Sequence, residues 1–143
     1  MKITILVSVL WDALAACNTS HDAAIENEKI VRSMFDAFNR HDWKAMTEFY
    51  GDTASFLDPS FGTFDVKKSR IETATKYAEM QKMFPDLHDE VVTLFSQGDK
   101  VAVEFISTSK RGDQKFTFPI STIFTIQNGK IVRDATYYNN CQE

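Results

Sequence analysis

Between residues 87 and 138 the chain carries three turn signals and no helical periodicity. Gln97-Gly98-Asp99, Arg111-Gly112-Asp113 and Asn128-Gly129 separate four strand-like runs over residues 87–95, 101–108, 115–126 and 131–138. Asn-Gly is the strongest short-range hairpin signal, because both central residues of a tight two-residue turn take positive φ and these two side chains tolerate it. The pattern predicts an antiparallel meander. Pro119 lacks a backbone donor, so within the third run it marks a bulge or an edge position.

The N-terminal half reads differently. Ile30, Val31, Met34, Phe35 and Phe38 recur at three- and four-residue steps, with Glu26, Glu28, Arg32 and Asp36 on other faces, which predicts an amphipathic helix. Asn39-Arg40-His41 interrupts it and Asp42 is placed as an N-cap. Trp43, Met46, Phe49 and Tyr50 form a second short stripe closed by Gly51. A third helix is predicted over residues 66–83, with Ile71, Ala74, Tyr77 and Met80 on one side, ended before Pro85. His41 and Trp43 read as a link residue and a core anchor. Between the second and third helices, Ala54-Ser55-Phe56-Leu57 is a short alternating run that delivers Asp58 directly before Pro59. The proline holds Asp58 extended and stops regular pairing, so the acid is presented at the lip of a sheet. Helices first and strands afterwards describe an α+β sheet curled around helices.

Composition narrows the functional classes. With 143 residues, 43% apolar and 25% charged, the chain is one domain able to bury a core without staples. Twelve Phe, four Tyr and two Trp suit a filled core or a pocket for a flat apolar molecule. A formal charge of −4 without a basic cluster argues against nucleic acid. Three His and two Cys are too scattered for a zinc-type ligand set, and no Gly-rich phosphate loop is present, so neither metal nor cofactor is expected.

The first residues form a separate unit. Met1-Lys2, an apolar run and Leu14-Ala15-Ala16-Cys17 have the layout of a signal peptide, and the last four resemble the lipobox of bacterial lipoproteins. The expected organisation is a signal peptide at 1–16, a tether with lipidated Cys17 at 17–24 and one folded domain at 25–140. An exported, membrane-anchored protein of the bacterial cell envelope follows, on the outer membrane or the periplasmic face.

Several pieces together resemble a known family: Val31-Arg32-Ser33-Met34-Phe35-Asp36-Ala37-Phe38-Asn39 with Asp42-Trp43, Leu57-Asp58-Pro59, Phe84-Pro85-Asp86-Leu87, Gly98-Asp99-Lys100-Val101-Ala102-Val103, and Ile123-Phe124-Thr125-Ile126 with Asn128-Gly129-Lys130-Ile131-Val132. In order and spacing, residues 26–140 look like a SnoaL-like member of the nuclear-transport-factor-2-like superfamily, which includes ketosteroid isomerases and polyketide cyclases. The resemblance implies a cone-shaped fold, with a strongly curved, mostly antiparallel sheet wrapped on three N-terminal helices around a deep apolar pocket. It also implies a homodimer through the outer sheet face, where Ala102, Glu104, Ile106 and Thr108 offer a mixed patch.

The same resemblance singles out site residues. Asp58 occupies the place of the general base of ketosteroid isomerases. Their oxyanion partners are a Tyr on the first helix and a neutral acid on the penultimate strand, whose raised pKa is an established case; here those positions fall on Met34 and on Ser121 or Thr122. A thioether cannot donate a hydrogen bond, so steroid isomerisation in that form is not expected. On the last strand Val132, Asp134, Thr136 and Tyr138 share a face by alternation, and with that face inward Asp134 would converge with Asp58 from the opposite wall. The expected lining is Phe56, Phe105, Phe118 or Phe124, and Tyr138. Asp89 and Glu90 beside His88 read as a charged strand entrance and Glu104 as an outer-face residue. Two functions stay open: a cofactor-independent isomerase, cyclase or dehydratase acting on a small apolar carbonyl compound, and a non-catalytic binding or interaction module on the membrane surface.

Overall fold

The computed structural model describes the backbone of residues 6–139 and the side chains of residues 21–139. Three helices, α1 (Leu6–Asn39), α2 (Trp43–Thr47) and α3 (Arg70–Met83), accompany six strands, β1 (Tyr50–Leu57), β2 (Val66–Ser69), β3 (His88–Gln97), β4 (Lys100–Arg111), β5 (Gln114–Gln127) and β6 (Lys130–Tyr137). The strands form one sheet in the order β2-β1-β6-β5-β4-β3. All neighbours are antiparallel except β1 and β6, which run parallel. This is the expected α+β cone.

Each expected meander turn is a two-residue loop: Gln97 pairs with Lys100, Arg111 with Gln114 and Gln127 with Lys130. Asn128 and Gly129 both have positive φ, 51° and 72°, as the primed turn demands. Register shifts between Val91 and Thr93 and between Thr125 and Ile126 bend the sheet. Pro119 pairs with Ile106 on β4 but lies beyond Tyr137, which pairs with Ser121 at the end of β6. On its β6 side Pro119 is therefore at an open edge, where a residue without a backbone donor is tolerated.

The predicted third helix is too long at its start. Residues Val66–Ser69 are an edge strand paired with β1, and the helix begins only at Arg70. Ser69 is its N-cap: the Ser69 side chain accepts from the Glu72 amide while the Glu72 carboxylate accepts from the Ser69 backbone. The Ser-x-x-Glu spacing is the local signal that marks this start. Ile71, expected on the apolar side, is 79% exposed.

Helix α1 runs back through the residues read as a tether, so 18–24 have helical backbone. The signal segment's first five residues and the side chain of Cys17 lie outside the described residues. Among the described residues, no helix is long and apolar enough to cross a membrane.

The core sits between α1, α2 and the inner face of the sheet. Val31, Met34, Phe35 and Phe38 pack on Phe105, Phe124, Ile126 and Ile131, and the Phe35 ring meets Phe105 edge-on at 4.9 Å. Each such fully buried side chain contributes roughly 1.5–3 kcal/mol before entropy is charged. Two polar clamps fix the helices. Asn39 donates to the Asp89 carbonyl and accepts from the Asp89 amide, both at 2.8 Å. Trp43 Nε1 donates to Gln81 Oε1 (2.8 Å), which leaves the Gln81 amide nitrogen to donate to His41 Nδ1 (2.9 Å) and His41 Nε2 to donate to the Leu87 carbonyl (2.7 Å). His41 and Trp43 are thus structural, as their pattern indicated.

Candidate functional site

A cavity of about 310 Å³ opens between the C-terminal end of α1, helix α3 and the inner face of β3 to β6. Phe38, Tyr77, Met80, Phe84, Leu87, Phe105, Phe116, Phe118 and Ile120 make its apolar wall. Phe116 and Phe118 project from alternate positions of β5 with nearly parallel rings 6.3 Å apart, and Phe84 stands edge-on against Phe116. The polar lining comprises Asp58, Ser60, Asp89, Ser107, Thr108, Ser109, Thr136 and Tyr138. Among the described residues, two carboxyls and no Lys, Arg or His therefore face the interior.

Asp58 follows the last residue of β1 and is half-buried. Its Oδ1 accepts from the Ser60 amide (2.7 Å), the Ser60 hydroxyl (2.6 Å) and the Tyr138 hydroxyl (3.3 Å). Among the described residues Oδ2 accepts no hydrogen bond. Burial and the nearby Asp58 charge push the Tyr138 phenol up. Lys76 Nζ donates to the Ser60 hydroxyl and sits 3.0 Å above the centre of the Phe61 ring. Desolvation lowers its pKa to about 8, although Asp58 and Asp134 oppose that.

Asp134 is 6% exposed. Its Oδ2 accepts from the Tyr50 hydroxyl at 2.9 Å and its Oδ1 from the Thr136 hydroxyl at 2.7 Å. A hydroxyl has one proton, so with Thr136 donating to Asp134, the 2.7 Å contact between Thr122 and Thr136 is a donation from Thr122. Burial raises the Asp134 pKa to about 6, against the lowering effect of the Thr136 and Tyr50 hydrogen bonds, and Asp58 adds to the rise. The Tyr50 phenol is held well above its usual range by burial and by Asp134. Tyr77 is also pushed well above that range, by burial and then by the charges of Asp134, Asp58 and Asp89. Its ring stacks on Trp43, and among the described residues its hydroxyl has no hydrogen-bond partner.

Several expectations about individual residues need correction. Asp58 and Asp134 do not come from opposite walls: β1 and β6 are parallel neighbours, with Phe56 beside Asp134 and Leu57 beside Ala135. Asp134 does point inward, but Thr136 stands between it and the cavity surface. Met34 (4% exposed) and Phe56 (1%) belong to the packed core and not to the cavity lining, and the Phe61 ring packs on Phe56 at 4.8 Å. Phe124 is core as well, whereas Phe105, Phe118 and Tyr138 line the cavity. Ser121 is exposed on the outer face, opposite in alternation to buried Thr122. Thr108, expected on the outer face, lines the cavity.

Asp89 was misjudged most. It is 6% exposed, lines the cavity, and its pKa is raised to about 7 by desolvation, with only Ser107 pulling it back. Its Oδ1 has no hydrogen-bond partner among the described residues. The available signal was alternation: Leu87, Asp89 and Val91 share one face, two of them apolar, while exposed His88 and Glu90 occupy the other. Tyr77 and Tyr50 were hidden inside apolar stripes that read as core.

Among the described residues no group of three or more His, Cys, Asp or Glu is arranged to hold a metal ion. The family model of the SnoaL-like domain matches residues 31–134, and no curated protein matches the chain. Solved structures share its fold at low identity. An epoxide hydrolase of the LEH-like type from M. tuberculosis is 18% identical with a TM-score of 0.70, the match covering 82% of this chain and 85% of the other. IdmH from Streptomyces antibioticus, a candidate polyketide cyclase, is 18% identical with a TM-score of 0.70 over 80% and 92% of the two chains. A protein of ketosteroid isomerase-like fold from Catenulispora acidiphila, solved in complex with trimethylamine, is 18% identical with a TM-score of 0.69 over 78% and 85%.

Proposed function

This chain belongs to the SnoaL-like domain family, and from that premise we propose that it is a cofactor-independent acid–base enzyme acting on a small apolar carbonyl compound. The observation that carries this reading is the convergence of Asp58, Tyr77 and the Thr136–Asp134 pair on one apolar cavity. Asp58 Oδ2 is free of hydrogen bonds from the described residues and serves as the base. It takes a proton from the carbon next to the carbonyl; the C–H pair moves into the new C–C double bond and the carbonyl π pair onto oxygen. Tyr77 keeps its proton, because its pKa is held high, and that O–H donates to the developing oxyanion. This is the oxyanion role for which the resemblance pointed to the positions of Met34 and of Ser121 or Thr122. Protonated Asp58 then returns the proton to the same carbon as the oxyanion pair reforms the carbonyl, or, where a β,γ double bond extends the enolate, to the γ carbon, the double bond moving into conjugation with the carbonyl.

Asp134 acts one hydroxyl removed. Ionised, it holds the Thr136 proton; protonated on Oδ1, it donates to Thr136, whose own proton then turns to the cavity. A carboxyl with a pKa of about 6 suits such a relay near neutral pH. Isomerase, cyclase and epoxide-hydrolase names among proteins of this fold support small-molecule chemistry of this class without selecting one reaction. The screening of Asp134 by Thr136 favours a second reading, a binding module without turnover.

The test is solvent-deuterium exchange into a cyclic apolar ketone, followed by proton NMR. Exchange by the wild type and its loss in Asp58→Asn and Tyr77→Phe is expected. Ketone bound without exchange would leave the binding module.

Export and lipidation through Cys17, carried by Leu14-Ala15-Ala16-Cys17, complete the reading, as does a homodimer through the outer face of the sheet. Partly exposed Ala102 and Ile106, with Ile123 (39% exposed) and Tyr137 (50%), support the latter surface.

A further inference from the structure

The cavity's far wall is built for a charge that its near wall does not explain. Asp89 is the second residue of β3, away from the β1 and β6 ends where Asp58 and Thr136 lie, and it takes no part in the proton transfer at Asp58 and Tyr77. Its backbone is locked on both sides by Asn39, so the side chain is committed to the interior. Ser107 faces it directly across the β3–β4 ladder. Among the described residues one carboxyl oxygen is buried without a partner, although leaving a buried polar atom unpaired is costly. Such an atom is explained when a ligand supplies the missing donor.

We propose that Asp89 is the recognition site for a protonated amine or other organic cation on the molecule this cavity binds. Four observations point to a cation in preference to a neutral or anionic group. Among the described residues the lining has two carboxyls and no basic side chain to neutralise them. The Lys76 ammonium is engaged with Ser60 and the Phe61 ring and does not line the cavity. The wall beside Asp89 is aromatic, with Phe105, Phe116 and Phe118 offering ring faces and edges to a desolvated cation. Burial also raises Asp89, so an arriving ammonium would hold the carboxyl ionised, whereas an anion would meet two acids. The proposal deepens the acid–base reading by adding a cationic group to the substrate, at the end remote from the reacting carbonyl. It rests on the cavity and survives if the domain only binds.

The experiment is titration calorimetry of the whole protein with three probes of one shape: phenethylammonium, 2-phenylethanol and 3-phenylpropanoate. Phenethylammonium is expected to bind at least tenfold tighter than the alcohol, with no binding of the carboxylate. Asp89→Asn, which keeps the side-chain shape, should bring the two Kd values within about twofold. Equal affinities in the wild type, or a preference retained in a folded Asp89→Asn, would overturn the proposal. The wild-type comparison decides alone if the variant does not fold. Ammonium preference without ketone exchange would remove the enzyme reading and keep this one; exchange without preference would do the reverse.

Discussion

Tyr50 donates its hydroxyl to Asp134 across the parallel β1–β6 pair at 2.9 Å, the one junction in the sheet where two strands far apart in sequence run the same way. The bond carries a buried carboxyl on a phenol that holds its proton, and it sits directly behind Thr136 and the cavity.

Replacing Tyr50 by Phe removes a donor to Asp134 without changing ring shape. The Asp134 pKa should then rise above about 6, because only the Thr136 hydrogen bond and the more distant Lys76 charge still favour the ionised form. Carboxyl-carbon NMR across pH 4 to 9 would read the shift. At pH 8, where Asp134 is ionised, stability should fall by about 1–3 kcal/mol, and by less at pH 5.

Asp89 makes the native state sensitive to pH in the opposite sense from a carboxylate held ionised by hydrogen bonds, such as Glu72. Its folded pKa of about 7 lies above its ordinary 3.8, so between these values the folded state binds the extra proton. Stability is fully present below pH 3.8 and is lost as pH rises to 7. At about 1.4 kcal/mol per pH unit the penalty reaches up to about 4 kcal/mol. Asp89→Asn should therefore raise the denaturation midpoint at pH 8, the gain vanishing near pH 4. A midpoint that is lower at both pH values would mean that the carboxyl stabilises the fold.

Ser69→Ala removes the α3 capping box. A loss of about 1 kcal/mol is expected in urea denaturation, with probe binding unchanged, because Ser69 and Glu72 lie outside the cavity. Glu72 is held down at about 2 by the Ser69 backbone and side chain, so this cap persists until pH falls toward that value.

Lipidation predicts that the protein fractionates with membranes and that Cys17→Ser releases it to the soluble fraction. Absence of the unaltered protein from the membrane pellet would remove the anchor.

The outer-face homodimer predicts a two-subunit species in sedimentation of the Cys17→Ser protein at tens of micromolar, lost in Ile106→Glu. A monomer at that concentration defeats it.

The strand meander and its turns were legible in the sequence because they are local. Asn128-Gly129 can be read without knowing the fold, since the positive φ that the turn requires is a property of those two residues, and the face of Val101, Val103 and Phe105 follows from a period of two. The helix stripe from Ile30 to Phe38 is local in the same way. Its family pieces, from Asp42-Trp43 to Asn128-Gly129, also carried the cone fold. Local patterning failed at residues 66–69, where pairing with β1 overrode a helical pattern and deferred the helix to its Ser69 cap.

The site was legible only in part. Asp58 was marked by Pro59, a neighbour in sequence. What surrounds it was decided by residues distant in the chain: Tyr138 on β6, Tyr77 on α3, and the chain from Thr122 through Thr136 to Asp134. Whether an acid is solvated or buried depends on which elements close over it. Two residues of one charged triplet, Asp89 and Glu90, therefore ended on opposite sides of β3, one in the cavity with a raised pKa and one in water. Periodicity assigns a residue to a face; only the tertiary packing of α1 and α3 against that face sets the dielectric, and with it the chemistry that a carboxyl can do.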